Sequence, residues 1–207
     1  MPRIDAFENH SDAYDDWFDK NSEAYAAELK AVMQQLPASP AQGLEVGVGS
    51  GKFAVPLGIK IGVEPSAQMA AKAKKLGIDV HSGVAEALPF SADQFDFVLM
   101  VTTICFVDDI VKSFQEALRV LVPGGSIIVG FVDVDSELGQ KYLHNRHKSR
   151  FYQQATFFSA QQVLDHLQTS GFGQSEVKQT LIPDADKHAV RDGFGEGAFV
   201  VIKAVKD

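Results

Sequence analysis

"LEVGVGSGKF", Leu44–Phe53, is a short apolar run that breaks into glycine at every second position: Gly47, Gly49 and Gly51. Followed by "AVPL", it predicts a buried strand that passes through a bare-backbone turn into a helix. Such turns bring backbone N–H groups and a helix N-terminus against a ligand. The alternation then repeats. "KIGVE" predicts a strand, "SAQMAAKAKKL" a helix and "DVHSG" a strand. "FDFVLMV" is nearly all apolar, as a strand covered on both faces should be. "DDIVKSFQEALRVL" predicts a helix with Val111, Phe114, Leu118 and Leu121 on one face and Asp108 as its N-cap, and "GGSIIVGFV" a fifth strand. Strands alternating with helices imply right-handed βαβ units and a parallel sheet.

On either side of this stretch the pattern changes. Tyr25, Leu29, Val32, Met33 and Leu36 form a 3.6-residue stripe that predicts an N-terminal helix, capped by Asn21 or Ser22 and ended by the loop Pro37–Gly43. Residues 133–158 have no clean period and read as an insertion, made aromatic by Tyr142, Phe151, Tyr152, Phe157 and Phe158. "SAQQVLDHLQTSGF" predicts a helix with a Ser159–Gln162 capping box and a stop at Gly171. "EVKQTLI" and "AFVVIKAV" follow with no helical pattern between them, so they are expected as antiparallel neighbours.

The spacing of the glycines bears on the ligand. A dinucleotide fingerprint is G-x-G-x-x-G, because a pyrophosphate must rest on the helix end. Here it is G-x-G-x-G, with Glu45 two residues before the first glycine. A carboxylate there repels a pyrophosphate and suits a ligand that carries an ammonium and a sulfonium, such as S-adenosylmethionine. Glu64, at the end of "KIGVE" and followed by Pro65 and Ser66, can accept hydrogen bonds from two ribose hydroxyls. NAD enzymes use the same device, and a partner for the helix dipole of the next segment is the bland alternative.

"GVAEALPFSADQFDFVLM" followed by "LRVLVPGGSIIV" decides between them. With the glycine turn, these stretches resemble, in order, the motifs of the class I S-adenosylmethionine-dependent methyltransferases, in the small-molecule (type 11) branch that includes quinone-biosynthesis enzymes. The resemblance runs from Leu44 to about Phe131, under half of the chain. It implies a Rossmann-like α/β fold: a seven-stranded, mostly parallel sheet of order 3-2-1-4-5-7-6 under an N-terminal helical lid. The chain is then expected as a single methyltransferase domain. Residues 1–40 form the lid, 43–132 the cofactor-binding core, 133–158 a cap over the substrate, and 159–207 the closing helix and antiparallel strands. By the same resemblance Glu45, Gly47, Gly49 and Gly51 line the methionine moiety and Glu64 binds the ribose, while Pro65, Ser66 and Met69 flank the adenine. Ala85 and Glu86 meet the adenine edge. Met100, Val101, Thr102 and Thr103 sit beside the methionine amino group and the methyl, and Tyr14 closes the lid. Val84 departs from the family, which often has an aspartate there, so what contacts the adenine amino group stays open. Cys105 and Phe106 stand where many relatives carry histidines, which excludes a histidine base at that place.

The expected reaction is transfer of a methyl group from S-adenosylmethionine to a small-molecule acceptor, with an amine nitrogen preferred and S-adenosylhomocysteine as the product. Candidate acceptor contacts are Trp17, Thr103, Phe106, Tyr142, Phe194 and Glu196, the last two in the turn "DGFGEG" before the last strand. Asp108, Glu137 and Glu196 are candidates to balance a cationic acceptor. No residue stands out as general base, and no histidine spacing suggests a metal; His144 and His147 read as surface residues. The rivals are a non-catalytic or partner-dependent module that binds S-adenosylmethionine, and an NAD-dependent oxidoreductase.

A formal net charge of −8 excludes the basic surface expected of a nucleic-acid partner. One cysteine, Cys105, allows no internal disulfide, and no apolar run approaches a membrane span. The first residues lack the basic and apolar regions of a signal peptide. A soluble cytoplasmic protein, monomer or homodimer, without nucleic-acid or membrane partners, is the expectation.

Overall fold

The computed structural model describes residues 4–38 and 41–207. Its sheet is built from β1 (Gly43–Val46), β2 (Ile61–Val63), β3 (Asp79–His81), β4 (Phe95–Val101), β5 (Leu121–Val132), β6 (Ser175–Thr180), β7 (Arg191–Asp192) and β8 (Phe199–Val205). The order is β3-β2-β1-β4-β5-β8-β6-β7. β1 to β5 pair in parallel, whereas β8 runs antiparallel between β5 and β6. This is the Rossmann-like methyltransferase sheet with one correction: eight strands rather than seven. The extra strand has two residues, paired with Lys178 and Gln179 on the outer side of β6. The Lys178–Asp192 ion pair, 2.5 Å long, helps to hold it there.

Among the described residues, seven α-helices cover the two faces: α1 (Asp5–Lys20), α2 (Ser22–Met33), α3 (Ala54–Leu57), α4 (Ala67–Lys75), α5 (Ile110–Val120), α6 (Glu137–Asn145) and α7 (Ala160–Thr169). Alternation along β4 explains the layering. Val98 and Met100 point to one side, into a core with Phe114 and Ala117 of α5 and Val163 and Leu167 of α7. Phe97, Leu99 and Val101 point to the other, against Phe18 of α1, Ala31 and Val32 of α2 and Ala73 of α4.

Local caps start the helices. Ser66 Oγ accepts from Met69 N at 3.3 Å ahead of α4, and Ser136 Oγ from Gly139 N at 3.0 Å ahead of α6. α7 has the predicted Ser159–Gln162 capping box. α5 is capped by Asp109, whose Oδ1 accepts from Lys112 N at 3.0 Å, not by Asp108. The N-terminal segment is two helices broken at Asn21. Of the predicted stripe, Val32 is buried and Tyr25, Leu29 and Leu36 pack against the core. Ala27, Glu28, Ala31 and Val32 are buried, while Met33 is 54% exposed. The predicted loop Pro37–Gly43 falls partly outside the described residues. The insertion 133–158 contains α6 and two single-turn 3-10 helices, Arg146–Lys148 and Tyr152–Gln154. Among the described residues no helix is long and apolar enough to cross a membrane.

One polar clamp fixes the loop between β3 and β4. Arg119, in the last turn of α5, donates to Phe90 O at 2.7 Å and Leu88 O at 3.1 Å. Glu116 pairs with Arg119 and accepts from Leu88 N at 2.8 Å. Arg119→Ala is expected to lower the unfolding free energy by about 1–2 kcal/mol, the value of charge-assisted hydrogen bonds reduced for partial exposure. Urea denaturation checks this. A change within about 0.5 kcal/mol, that of an ordinary surface substitution, would show that the loop holds without the clamp.

Candidate active site

The chain reverses direction across the sheet between β1 and β4, and ligands of open α/β sheets bind beyond the strand ends at such a point. A cavity of about 350 Å³ lies there, walled by the turns after β1, β2 and β4, by α1 and α2, and by residues 138–152.

The glycine turn forms its floor. Gly47, Gly49 and Gly51 all have positive φ (72°, 55° and 89°), a region that side chains other than glycine rarely enter. A Cβ on Gly47 would lie 2.5 Å from Thr103 Oγ1, and one on Gly51 2.8 Å from Ile78 Cδ1. A Cβ on Gly49 would touch only Met69 and Tyr14, at 3.4 and 3.9 Å, so there the bare backbone faces the cavity. Gly47 N and Val48 N donate to Val63 O, which ties the turn to the end of β2.

Glu64 completes that tie. Its Oε2 accepts from Gly49 N and its Oε1 from Ser66 N, both at 2.9 Å. Burial raises its carboxyl above the ordinary range, against these donors, which pull it down. Each oxygen commits one lone pair to the backbone and retains another toward the cavity, which Glu64 lines. Glu45 lies beside the turn, 2% exposed and outside the cavity lining. Burial pushes its carboxyl well up, although the Ala54 backbone donates to it. Its Oε2 has no hydrogen-bond partner. An adenosyl ligand with a cationic chain fits this set: an acceptor pair at the end of β2, an orphaned buried acceptor next to the turn, and a cradle at Gly49 that a Cβ would narrow.

Thr102, the residue after β4, has φ +52°, a strained conformation for a β-branched residue. It is held by its N–H bond to Gly130 O at 2.8 Å. Thr103 Oγ1 lies 3.1 Å from both Val46 O and Val101 O. Glu86 lines the cavity, but its Oε1 accepts from Asp108 N and Asp109 N, at 2.7 and 3.1 Å.

α1 closes the cavity as a lid and is strapped to the cofactor end by polar contacts. Glu8 accepts from Ser66 Oγ at 2.6 Å, Lys72 pairs with Asp12 and Asp15 at 2.7 Å, and Asp15 accepts from Ser50 Oγ at 2.5 Å. Its inner face is aromatic. Phe7 packs edge-on against Tyr14 and Phe106, and Tyr14 against Phe18 and Phe151. Burial pushes the Tyr14 hydroxyl well above its ordinary range, against a hydrogen bond with Thr102. From the insertion, Tyr152 stacks between Phe106 at 6.0 Å and Tyr142 at 5.4 Å.

The last wall residue is Glu28 of α2, 5% exposed. Its carboxyl has no hydrogen bond or ion pair among the described residues. Burial alone pushes it up to about 8. Glu28 escapes the sequence pattern because the predicted stripe passed beside it. The available signal was a glutamate in step with Ala24, Ala27 and Ala31, a run of small residues that must face something close.

Of the predicted cofactor set, Gly47, Gly49, Glu64, Pro65, Met69, Ala85, Glu86, Val101, Thr102 and Tyr14 line the cavity together. Glu45, Gly51, Ser66 and Met100 do not. Gly51 packs on Ile78, Ser66 caps α4, and Met100 is 1% exposed inside the core. Of the predicted acceptor set, Trp17, Thr103, Phe106 and Tyr142 line it. Phe194 and Glu196 are corrections. The added strand β7 carries their turn to the outer edge of the sheet, where Phe194 is 41% exposed and Glu196 pairs with Arg191 at 2.5 Å. Asp108 and Glu137 are likewise exposed and outside the lining. Among the described residues no group of three His, Cys, Asp or Glu could hold a metal.

A methyltransferase-domain family model matches residues 44–129. An uncharacterised protein of Methanocaldococcus jannaschii is 43% identical over 98% of this chain and its own full length. A crystal structure from Thermotoga maritima, described as an S-adenosylmethionine-dependent methyltransferase and possible histamine N-methyltransferase, is 47% identical over 98% of both chains, with a TM-score of 0.93. A more distant structure shares the fold at a TM-score of 0.63 and 19% identity, over 86% of this chain and 52% of the other. It is phosphoethanolamine N-methyltransferase 2 of Haemonchus contortus in complex with S-adenosylmethionine.

Glu28 makes stability depend on pH. Its folded value of about 8 stands above the ordinary 4.5, so between these values the native state keeps a proton that the unfolded chain has lost. That contribution to stability is full below pH 4.5 and is lost as pH rises toward 8. Urea denaturation is expected to find Glu28→Gln more stable than the native sequence by a margin that widens from pH 5 to pH 8. Parallel profiles would show that the carboxyl ionises freely.

Proposed function

The chain belongs to the class I S-adenosylmethionine-dependent methyltransferases, and from that premise we propose that its acceptor is an amine nitrogen of a small molecule. The observation that carries this reading is the charge of the cavity wall. Among the described lining residues there is no lysine, arginine or histidine; the only charged types are Glu28, Glu64 and Glu86. Around them stand Phe7, Tyr14, Trp17, Phe106, Tyr142, Phe151 and Tyr152. Aromatic faces with carboxylates behind them attract a cation by about 0.5–2 kcal/mol per ring and reject an anion. The Thermotoga structure, 47% identical and described as a possible histamine N-methyltransferase, points the same way.

When bound, S-adenosylmethionine supplies an electrophilic methyl group on a sulfonium. The chain's own part in this reading is to bind, orient and dry the site. Glu64 takes the ribose hydroxyls on its free lone pairs, and Pro65 and Met69 pack against the adenine. The Gly49 backbone allows close approach of the methionine chain, and Glu45 supplies an acceptor near its ammonium. Thr102 and Thr103, which line the cavity beside the glycine turn, would help to hold the methyl-bearing end of the cofactor, and Thr102 does so from a strained backbone conformation. The lid and the stacked Phe106, Tyr152 and Tyr142 exclude water and hold the acceptor on the opposite side. Fixing two reactants in line supplies several kcal/mol of the barrier reduction without any protein nucleophile.

Calorimetric titration tests the cofactor half. S-adenosylmethionine and S-adenosylhomocysteine are expected to bind and NAD not to, and Glu64→Ala is expected to weaken both by roughly 10- to 100-fold. A methylation screen of amines, phenols and quinones tests the acceptor half. Transfer to amines is the expected result; transfer only to phenol oxygen or a quinone ring would overturn the amine reading while leaving the methyltransferase in place.

A further inference from the structure

We propose that Glu28 is the catalytic residue that binds the acceptor's ammonium group and takes its proton. The proposal rests on the amine reading above and gives it a specific group. Four carboxyls stand in or beside the cavity, and three have at least one oxygen engaged by a backbone N–H. Glu64 holds the Gly49 and Ser66 N–H groups, Glu86 holds those of Asp108 and Asp109, and Glu45 lies outside the lining with the Ala54 backbone donating to it. Glu28 lines the cavity with both oxygens free. A buried carboxyl with no donor is costly, and a helix whose other buried positions are alanine and valine would pack without it. Its oxygens open onto the cavity, where a cationic ligand would meet them.

The groups around Glu28 say what that ligand carries. From α1, α2, α6 and the 3-10 turn at Tyr152, the titratable side chains that feel its charge are Tyr14, Tyr25, Tyr142 and Tyr152, each pushed up first by burial and further by Glu28. None is a cation, and all are neutral at physiological pH. Tyr14 also feels Glu45 and Glu64, whereas the only charge acting on Tyr142 is Glu28. Glu28 thus lines the same cavity as the cofactor-end residues and the aromatic cap. An acceptor ammonium is the missing positive partner.

The chemistry closes. An ammonium has no lone pair and cannot attack. Glu28 accepts one of its protons, and the nitrogen lone pair forms the N–C bond while the methyl–sulfur bond breaks and its electron pair stays on sulfur. The products are a methylated ammonium, S-adenosylhomocysteine, and a proton that Glu28 releases to solvent.

The test needs binding as well as turnover. 2-Phenylethylamine, its uncharged isostere 2-phenylethanol and any amine returned by the methylation screen are titrated into the complex with S-adenosylhomocysteine. Calorimetry is run at pH 7 in buffers of different ionisation enthalpy. The native sequence is expected to release about one proton per ammonium bound, because the empty site holds Glu28 protonated. Glu28→Gln, an uncharged near-isostere, should release none and bind the amine about 10- to 100-fold more weakly, with affinity for the alcohol unchanged. Its kcat/KM for the amine should fall by on the order of 100-fold or more, and Glu28→Asp should restore the proton release. Equal proton release, affinity and turnover in Glu28→Gln would overturn the proposal and leave the amine reading intact. Weaker binding of S-adenosylmethionine alone, with the homocysteine product and the amine unaffected, would assign Glu28 to the sulfonium and equally overturn it. If the native sequence binds and methylates no amine, both readings fall together.

Discussion

The site hangs on one carboxylate. Glu64 reaches from the end of β2 to the Gly49 N–H on one side and the Ser66 N–H on the other, so a single buried side chain couples the glycine turn, the second strand and the start of α4. Ser66, through its hydroxyl, holds Glu8 of the lid. Cofactor floor and lid are therefore linked through two residues, 64 and 66. Anything that displaces Glu64 loosens three elements at once, and anything that adds hydrogen bonds to its free lone pairs tightens them. A ligand bridging the two oxygens would stiffen the whole cofactor end.

The second constraint is that this end of the molecule buries negative charge without burying positive charge. Glu28, Glu45 and Glu64 are all shifted toward the protonated form, chiefly by burial; the charge of Glu64 pushes Glu45 further, and that of Glu8 pushes Glu64. Burying unpaired carboxyls destabilises the empty protein, and replacing them with apolar side chains would stabilise it. The arrangement makes sense for ligands that arrive with cations: a sulfonium and ammonium on the cofactor and, in the amine reading proposed above, an ammonium on the acceptor. Stability withheld from the empty fold is recovered on binding, the usual trade at functional sites.

The succession of elements along the chain and the cofactor turn were legible because they rest on local chemistry, whereas the order of the strands in the sheet followed from the family resemblance. Period-two and period-3.6 patterns mark the elements, and three glycines with an acid before them mark the turn. What escaped was decided by packing across the chain. The sheet acquired β7 because two residues at the end of a long loop lie alongside β6, and no periodicity announces a two-residue strand. That addition moved Phe194 and Glu196 away from the cavity. Glu28 was missed for a related reason: a stripe is read from large apolar residues, whereas the buried face of α2 is mostly alanine. Ser66 and Met100 were read as ligand contacts from their place in the chain, but their side chains turn to a helix cap and to the core.

The two halves of the cavity come from different parts of the chain, and this bears on how specificity is built. Residues 44–129, the span of the family match, carry the cofactor floor: the glycine turn, Glu64, Ala85 and Thr102. Trp17, Glu28, Tyr142 and Tyr152 lie outside it, on helices and turns that pack onto the sheet without joining it. Changing them alters the size, aromaticity and charge of the acceptor space while leaving the backbone bonds that hold the cofactor end untouched. Family membership therefore settles the methyl donor and leaves the acceptor to those outer residues. In this chain they place one carboxyl without a cation partner among a set of aromatic rings, the combination on which the amine reading rests.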